Sequence, residues 1–578
     1  MKNQNKGNHT VEMNRVTVAE AYLELLSIRG IEYFFANPGT DFASIVEAFV
    51  LRQEQGKDRP RPLTVPHEIP LVSMAHGYYL ATGRPQVAMV HVNVGTANGL
   101  GALMASSRGR VPILFSAGRT PIMEEGDPAA RSGYIHWGQE SFDQATIVRE
   151  YVKWDYELRT PSQLETVIDR SLTIAMTDPK GPTYLTLPRE VMAAQMESAR
   201  FNKYHRYDLP TFSPDPEKIR QAADLIIKAD FPLIITSSLG RSFEAVKALV
   251  DLAETGAVGV VSAFPEYMNF PPEHPCHQGF ISEPILSKAD VILVIDSDVP
   301  WHPNRGKPAD TATIIQAGID PFYSNYPVRG FPSDLTLHGN PALVLSELCM
   351  ALGGHQARDQ EKISSRIKDF KKRHDEIVKS WDESVLKSSG KSPLEFPWVS
   401  HHVSKIIDSE TIIVDEAIAG MLNRSTNQPG GYFGSPHAGY LGWCLGAALG
   451  VKLGKPDKTV IAAVGDGSYM FGVPSACHFV SNAYQLPVLF IVYNNQCYRA
   501  VKWATKELYP DGLAARKNHY PMSDLQPIAD YEKICEAFGG YGERVESPDQ
   551  VGPALERALY AVKHENRQAL LNMICKHP

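Results

Sequence analysis

Cysteine is scarce in this chain of 578 residues: there are seven, an odd number, and no two of them form a CxxC pair. The sequence also lacks an apolar run of the ~18 residues that a membrane span requires, and residues 1–15 do not contain the apolar stretch of a signal peptide. These absences exclude a membrane protein and a disulfide scaffold. They indicate a cytoplasmic protein with reduced thiols and no zinc site.

A surplus of basic residues is missing as well. Lysine and arginine total 57 against 65 aspartates and glutamates, a net charge of −8, which argues against nucleic acids and anionic membranes as partners. The 43% of apolar and 21% of charged residues are typical of globular proteins. The length is sufficient for three or four domains, each with its own core.

Short apolar runs alternate with helix-like stretches in three successive blocks. The runs are 31–39, 86–93, 112–118 and 182–188 in the first block, 231–238, 256–263, 289–296 and 311–319 in the second, and 411–417, 458–467, 486–495 and 569–576 in the third. Runs that are apolar throughout are typical of strands buried on both faces of a parallel sheet. The pattern therefore predicts an α/β fold of three doubly wound parallel-sheet domains in tandem.

Changes in composition indicate the domain boundaries. A proline-rich connector at 207–219 ends the first block, a Gly-Gly pair at 353–354 ends the second, and the charged segment 359–381 is typical of a solvated linker helix. We therefore expect an N-terminal domain, a middle domain, a linker and a C-terminal domain, which span residues 1–205, 206–355, 356–395 and 396–578.

The strongest local pattern lies in the third block, where two apolar runs each end in a small polar cluster. Gly465 and Gly467 allow the backbone to approach a phosphate, and Asp466 and Asn495 offer the hard oxygen ligands that Mg²⁺ prefers. Taken singly, each cluster is more typical of a turn or a strand-end cap. Here the two occur together, with 26 residues (468–493) between them.

This pairing closely resembles the signature of thiamine diphosphate-dependent enzymes, and the resemblance extends over essentially the whole chain. It includes FFANPGTD (34–41), VPHEIPLVSMAHGYYLATGRP (65–85) and HAGYLGWCLGAALGV (437–451). The resemblance implies that the three domains are, in order, a pyrimidine-binding, a middle and a diphosphate-binding domain. It also implies thiamine diphosphate and Mg²⁺ as cofactors.

The resemblance further implies roles for individual residues. Asp466, Asn495 and the backbone carbonyl of Cys497 would hold Mg²⁺ at the diphosphate. Glu68 would lie beside the aminopyrimidine ring, and Leu441 would be the bulky apolar residue that bends the cofactor. The complete set expected to bind the cofactor is Pro38, Gly39, Glu68, Glu416, Ala417, Ile418, Gly439, Leu441, Gly465, Asp466, Gly467, Ser468, Asn495 and Cys497.

Within the family, the chain is similar both to benzoylformate decarboxylase and to the acetolactate synthase group. His91 stands where the decarboxylase has an active-site histidine, and His302 lies within about one residue of where it has a second. Gln139 matches a glutamine near the cofactor of the synthases. Together with Glu68, these residues are the expected catalytic set.

The expected function is therefore a lyase or carboligase that acts on a 2-keto acid or a 2-hydroxy carbonyl compound (an acyloin). Non-oxidative decarboxylation, as in benzoylformate decarboxylase, is the expected reaction. The first alternative is an acetolactate synthase-like carboligase, a transferase. The second is a 2-hydroxyacyl-CoA lyase or oxalyl-CoA decarboxylase, which needs a basic nucleotide site such as Arg241 and Arg305 could offer. The third is a non-catalytic regulatory relative, against which the intact Glu68, Asp466 and Asn495 argue.

Two further expectations concern the flavin and the assembly. The segment 234–244 contains one glycine where the synthases have a glycine-rich flavin loop, so we expect no flavin. In the family, the glutamate of the first domain and the metal ligands of the third meet across a subunit interface. The resemblance therefore implies a homodimer or homotetramer.

Overall fold

The computed structural model describes residues 10–203, 209–355, 359–417 and 422–578. In that part of the chain three α/β domains follow one another, each built on a parallel sheet of five or six strands. No helix there is both long and apolar enough to cross a membrane. The predicted architecture of three doubly wound parallel-sheet domains is thus confirmed.

The first domain carries a parallel sheet and a separate antiparallel pair of strands. Its strands are β1 (Thr10–Thr17), β2 (Tyr33–Asn37), β3 (Arg61–Thr64), β4 (Val87–Val90), β5 (Leu114–Arg119), β6 (Asp155–Glu157), β7 (Thr183–Pro188) and β8 (Gln195–Asn202). Its helices are α1 (Val18–Ile28), α2 (Ala43–Glu54), α3 (Glu68–Thr82), α4 (Val92–Arg108), α5 (Ile135–Gly138), α6 (Leu164–Met176) and α7 (Arg189–Ala193). The parallel sheet has the order β3-β2-β4-β5-β7-β6, while β1 and β8 pair antiparallel.

The middle domain is a five-stranded parallel sheet covered by helices. Its strands are β9 (Pro232–Thr236), β10 (Gly259–Ser262), β11 (Val291–Ile295), β12 (Thr313–Gly318) and β13 (Leu335–His338). Its helices are α8 (Pro216–Lys228), α9 (Phe243–Gly256), α10 (Glu283–Leu286) and α11 (Pro341–Gly353). The strand order is β10-β9-β11-β12-β13.

Helix α12 (Gln360–Ser388) follows the middle domain and contains the charged segment predicted to be a solvated linker. One face of this helix is in fact buried. The Phe370 ring lies 4.8 Å from the ring of Phe231, and the Arg366 guanidinium donates to the carbonyl oxygen of Ile227 at 2.9 Å. Charged residues on the other face explain why composition alone indicated a solvated helix.

The third domain is a six-stranded parallel sheet with the order β15-β14-β16-β17-β19-β18. Its strands are β14 (Thr411–Asp415), β15 (Tyr432–Gly434), β16 (Thr459–Gly465), β17 (Val488–Asn494), β18 (Tyr541–Val545) and β19 (Ala569–Ile574). Its helices are α13 (Phe396–Ser404), α14 (Trp443–Gly454), α15 (Asp466–Phe471), α16 (Pro474–Ala483), α17 (Arg499–Leu508), α18 (Leu513–Lys517), α19 (Tyr531–Ala537) and α20 (Val551–His564).

Every predicted apolar run coincides with a strand: β2, β4, β5 and β7 in the first sheet, β9 to β12 in the second, and β14, β16, β17 and β19 in the third. The edge strands β3, β6, β13, β15 and β18 were not predicted, nor was the separate pair β1 and β8. β15 is buried but only three residues long, whereas the other edge strands are only partly buried. Because an edge strand has fewer neighbours to cover it, its sequence does not form a continuous apolar run.

Helices α3 and α14 join the first domain to the third in a contact lined by glycine. A Cβ on Gly446 would lie 2.6 Å from the Ser73 Cβ, and one on Gly450 would lie 2.0 Å from the Met74 carbonyl oxygen. Gly454 meets Thr82 further along. The order of these contacts shows that the helices run in the same direction. The start of α3 therefore lies at the same end of the pair as the start of α14.

We expect Gly450→Ala to lower the apparent unfolding temperature by a few degrees, measured by differential scanning calorimetry. The new methyl group meets a backbone atom that cannot rotate away, and such overpacking costs about 1–3 kcal/mol. The control is Gly353→Ala at the end of α11, where a Cβ has no neighbour nearer than 3.9 Å. That change should be neutral or stabilising, because alanine favours helix by about 0.5–1 kcal/mol over glycine. Unfolding of Gly450→Ala at the wild-type temperature would contradict the packing.

Candidate active site

Glu68 is the first residue of α3 and lies at the edge of the first sheet where β2, β3 and β4 end. The side chain is buried, with 6% of the residue exposed. Its Oε1 accepts a hydrogen bond from Asn37 Nδ2 at 2.9 Å, and its Oε2 accepts one from Asn98 Nδ2 at 3.2 Å. Two neutral amides thus orient the carboxyl group, and the sequence patterns did not single out either asparagine.

His91 directly follows β4 and is the N-cap residue of α4 at the same edge of the sheet. Its Nδ1 lies 2.5 Å from Asp41 Oδ1, and the hydrogen bond that the ring donates to this carboxylate raises the pKa of His91 although partial burial opposes the charge. Gly39 is required next to this pair, since a Cβ there would lie 2.1 Å from His91 Nδ1. The structure therefore places His91 in a hydrogen-bonded position, held by an aspartate that sequence reasoning missed.

Gln139 contacts the other ring nitrogen of His91. The distance from Gln139 Nε2 to His91 Nε2 is 3.2 Å, and Gln139 Oε1 is buried with no hydrogen-bond partner in the described part of the chain. Rotation of the amide would exchange its donor and acceptor, so Gln139 is able to pair with His91 whether or not Nε2 carries a proton. The structure thus brings together the histidine that resembles the decarboxylases and the glutamine that resembles the synthases. Pro38 and Gly39 lie at the same edge, directly after β2.

The wedge loop, residues 436–442, precedes α14 in the third domain. Its backbone is anchored by Glu416, whose carboxylate accepts from the N–H groups of Gly442 at 2.7 Å and Cys444 at 2.8 Å. Burial raises the pKa of Glu416 to about 7. Gly442 has a φ of +86°, a conformation that favours glycine. Leu441, the residue expected to contact the cofactor, projects from this loop with 36% of its surface exposed.

Asp466 follows β16 and begins α15, and Asn495 follows the neighbouring strand β17. Burial raises the pKa of Asp466 to about 6, although the backbone N–H groups of Gln496 and Cys497 hydrogen-bond to its carboxyl group. Among the described residues its Oδ2 is buried without a partner, and Asn495 Oδ1 accepts from the Cys497 N–H at 3.0 Å. A buried carboxylate oxygen that lacks a donor, next to an amide oxygen, fits the oxygen-rich coordination of Mg²⁺.

The remaining residues expected to bind the cofactor belong to the third domain. Gly465 and Gly467 flank Asp466, and the Ser468 hydroxyl hydrogen-bonds to Glu416. Gly439 lies in the wedge loop with a φ of +68°. Ala417 is buried after β14, whereas Ile418 lies outside the described residues.

His302 belongs to the middle domain, whereas His91 and Gln139 belong to the first. Its Nδ1 is 2.8 Å from Glu283 Oε1, which also accepts from the His302 backbone N–H at 2.7 Å. The ring packs edge-on against Phe264 with 5.5 Å between centroids, and 41% of the side chain is exposed. The hydrogen bonds of His302 therefore hold it within its own domain.

His437 ties the wedge loop to the middle domain. Its Nδ1 lies 2.9 Å from Asp298 Oδ1, and its Nε2 lies 2.9 Å from the carbonyl oxygen of Phe264. Acceptors at both ring nitrogens require the protonated imidazolium. Burial opposes this charge, yet the hydrogen bond that the ring donates to Asp298 raises the pKa of His437 to about 10. Phe264 thereby connects the wedge loop with His302.

A cavity of about 830 Å³ opens at the junction of the three domains. Its lining includes Arg110, Arg241, Tyr267 and Asp296, and none of the described residues expected to bind the cofactor or to act in catalysis. Arg305 does not line it and instead pairs with Glu507 at 3.1 Å. The structure therefore does not bring Arg241 and Arg305 together into one basic site.

Three family models match the chain in order. They are described as the N-terminal TPP binding domain, the central domain and the C-terminal TPP binding domain of a thiamine pyrophosphate enzyme. The matched residues are 16–147, 219–348 and 417–573.

Similar proteins include enzymes of two kinds. A probable acetolactate synthase large subunit from Methanocaldococcus jannaschii is 23% identical over 96% of this chain and 91% of its own. A benzoylformate decarboxylase from Pseudomonas aeruginosa is 25% identical over 94% of this chain and 97% of its own. The solved thiamine diphosphate-dependent 4-hydroxybenzoylformate decarboxylase from Rhodococcus jostii RHA1 is 22% identical with a TM-score of 0.77, covering 97% of this chain and 100% of that chain. The likeness to the solved structure shows the fold.

The ion pair of His437 and Asp298 predicts a window of pH in which it stabilises the protein. The pKa of His437, about 10, lies above the unfolded value of ~6.5, so its contribution is complete below about pH 6.5 and is lost as the pH rises toward 10. Burial opposes the charge of Asp298, but the hydrogen bond from His437 lowers its pKa to about 2. Its contribution is therefore complete above about pH 4 and is lost as the pH falls toward 2.

We expect the difference in unfolding temperature between wild type and His437→Gln to be largest between about pH 4 and 6.5, and to shrink on either side. Calorimetry between pH 3 and 9 measures it. The matched control is His564→Gln, at an exposed position on α20, for which no such window should exist. A His437→Gln difference that does not change with pH would mean that the pair is not ionised in the folded protein.

Proposed function

The chain belongs to the thiamine pyrophosphate enzyme family, and on that premise we propose that it is a thiamine diphosphate- and Mg²⁺-dependent lyase that decarboxylates a 2-keto acid without oxidation. The observation that carries the proposal is the group of Glu68, His91 and Gln139 at one edge of the first sheet. This group combines a buried carboxyl with a histidine whose hydrogen bonds favour a proton.

The cofactor would be held by residues of the first and third domains. Asp466, Asn495 and the carbonyl of Cys497 would bind Mg²⁺, because they offer oxygen atoms at the ends of adjacent strands. The backbone of 465–468 would face the diphosphate, and Leu441 with Gly439 would face the organic rings. When bound, thiamine diphosphate supplies an electron sink for breaking the bond next to a carbonyl group.

The chain's own residues would handle the protons. Glu68, oriented by two asparagine amides, would share a proton with a ring nitrogen of the cofactor. His91 would deliver and recover a proton at the reacting carbon, since its hydrogen bond to Asp41 keeps it protonated to higher pH than usual. Asp41 is a positioning residue in this scheme, and the amide of Gln139 would rotate with the protonation of His91.

A second candidate is an acetolactate synthase-like carboligase that joins two 2-keto acids. Gln139 favours it, as do the synthases among the similar proteins. The CoA-dependent alternative has less support, because Arg241 and Arg305 lie in different surroundings. Neither candidate includes a flavin.

The proposal includes a homodimer or homotetramer. Leu441, Met470 and Phe471 expose apolar surface around the wedge loop, the kind of surface that a second copy covers. Within one chain the starts of α3 and α14 already lie at the same end of the helix pair, so this contact by itself does not require a second copy. The dimer is supported by the family resemblance and by the exposed apolar residues.

A panel of 2-keto acids, including benzoylformate and pyruvate, tests the reaction when thiamine diphosphate and Mg²⁺ are present and products are identified by mass. We expect carbon dioxide and the matching aldehyde in equal amounts from an aromatic 2-keto acid. Acetolactate from pyruvate as the main product would favour the carboligase. An absence of any product from the whole panel would contradict both candidates.

Glu68→Gln should lower turnover by roughly 10²-fold or more, because the amide cannot share the proton. Cofactor affinity, measured by calorimetric titration, should stay near that of wild type. The control is Glu47→Gln on α2, where the side chain is exposed, and it should keep full activity. Full activity of Glu68→Gln at saturating cofactor would show that another group activates the cofactor.

His91→Ala and His302→Ala should each lower turnover by about 10²-fold or more on the best substrate, with cofactor affinity unchanged, if both histidines relay protons. His564→Ala, exposed on α20, is the matched control. Turnover within a few-fold of wild type in both variants would remove the basis for the decarboxylase and leave the carboligase. A loss of turnover in His91→Ala but not in His302→Ala would show that only the histidine of the first domain relays protons.

A further inference from the structure

A thiol, a carboxylate and an imidazole converge in the third domain on the side chains of Cys497, Asp524 and His577. One ligand atom from each lies within 4.8 Å of the others. The distance between His577 Nε2 and Asp524 Oδ1 is 3.0 Å. The three residues come from three separate segments, so the cluster exists only in the folded chain.

Backbone hydrogen bonds hold two of these segments against each other. Cys497 and Asp524 form an isolated antiparallel bridge, and the Tyr498 N–H donates to the Ser523 carbonyl oxygen at 2.7 Å. The thiol and the carboxylate are therefore placed side by side before any ligand binds, which limits the entropy that binding costs.

The third segment is anchored on both sides of His577. The Cys575 N–H donates to the carbonyl oxygen of Asn494 at 2.8 Å, and the Lys502 ammonium donates to the carbonyl oxygen of Pro578. Cys497 is buried, with 4% exposed, whereas the side chains of His577 and Asp524 are 33% and 48% exposed. The cluster thus has a fixed floor and an open side through which an ion and a water molecule can enter.

These ligands match a borderline-soft divalent cation. Sulfur, nitrogen and oxygen ligands together are typical of Zn²⁺, which binds thiolate at ~2.3 Å and imidazole at ~2.0–2.1 Å and leaves a fourth position to water. A thiolate and a carboxylate carry two negative charges, which balance the ion. The oxygen atoms of Asp466 and Asn495 form a harder set that suits Mg²⁺.

We propose that the side chains of Cys497, Asp524 and His577 bind Zn²⁺, or a transition metal of similar softness, at a second site beside the predicted Mg²⁺ site, which would use the backbone carbonyl of Cys497 and not its thiol. On binding, the S–H bond of Cys497 breaks, a sulfur–metal bond forms and the proton leaves to water. The partly exposed imidazole of His577, which already lies beside Asp524, completes the protein ligands. The side chains alone form this site, so it does not depend on the proposed enzymatic function.

Titration of the full-length protein with Co²⁺ tests the site, with Mg²⁺ in excess and without thiamine diphosphate. We expect one Co²⁺ per chain, a thiolate-to-cobalt charge-transfer absorption and the intense visible bands of a four-coordinate ion. Zn²⁺ should displace the Co²⁺. Absence of stoichiometric binding, or displacement by Mg²⁺, would overturn the proposal.

Variants assign the ligands. Cys497→Ser should abolish the charge-transfer absorption. His577→Ala should weaken Co²⁺ binding by more than about 10-fold, because loss of a residue that only hydrogen-bonds to a metal ligand already costs about that much. His577 lies on the surface near the end of the chain, so the fold should persist, as circular dichroism can verify. The matched control is Cys349→Ser in α11, a partly buried cysteine, which should bind Co²⁺ as wild type does. Charge-transfer absorption that survives in Cys497→Ser or disappears in Cys349→Ser would place the metal elsewhere.

Discussion

The close packing of α3 against α14 is the constraint on which the candidate site depends. The glycines of α14 allow backbone atoms of the two helices to approach to distances at which a Cβ would overlap Met74 and Ser73. Interiors are packed too densely to absorb such an overlap by small shifts. The relation between the first and third domains is therefore determined at this contact. It places Glu68, at the start of α3, at the same end as the wedge loop that precedes α14.

Around this helix pair, three buried carboxyl groups have different partners and so different chemical properties. Glu68 accepts hydrogen bonds from two asparagine amides, while Glu416 accepts from two backbone N–H groups and anchors the wedge loop. Asp466 keeps one oxygen for which the described residues offer no partner. Because a buried acceptor without a donor is costly, this arrangement supports the proposed cation site. The other two are complete without one.

Two histidine–aspartate pairs show how the hydrogen-bond partners of a histidine determine whether it stays charged or exchanges a proton. His437 has acceptors at both ring nitrogens, which holds it as an imidazolium and makes it a tie between domains. His91 has an aspartate at one nitrogen and an amide at the other, and the amide can serve either protonation state. The first arrangement suits a fixed charge, and the second suits a group that gains and loses a proton.

The sequence by itself determined the α/β class and the central strands of each sheet, and it indicated Asp466 and Asn495 as candidate metal ligands and, through the family resemblance, Glu68 as a candidate catalytic residue. The strands are local features, since burial on both faces makes a strand apolar, and each candidate residue belongs to a short segment that the sequence shows. Only the tertiary structure decided which side chains meet. Asp41 is 50 residues from His91, and Asp298 is 139 residues from His437, so no local pattern records either pair. The same holds for Cys497, Asp524 and His577, whose spacing resembles no metal motif, because folding alone brings their three segments together.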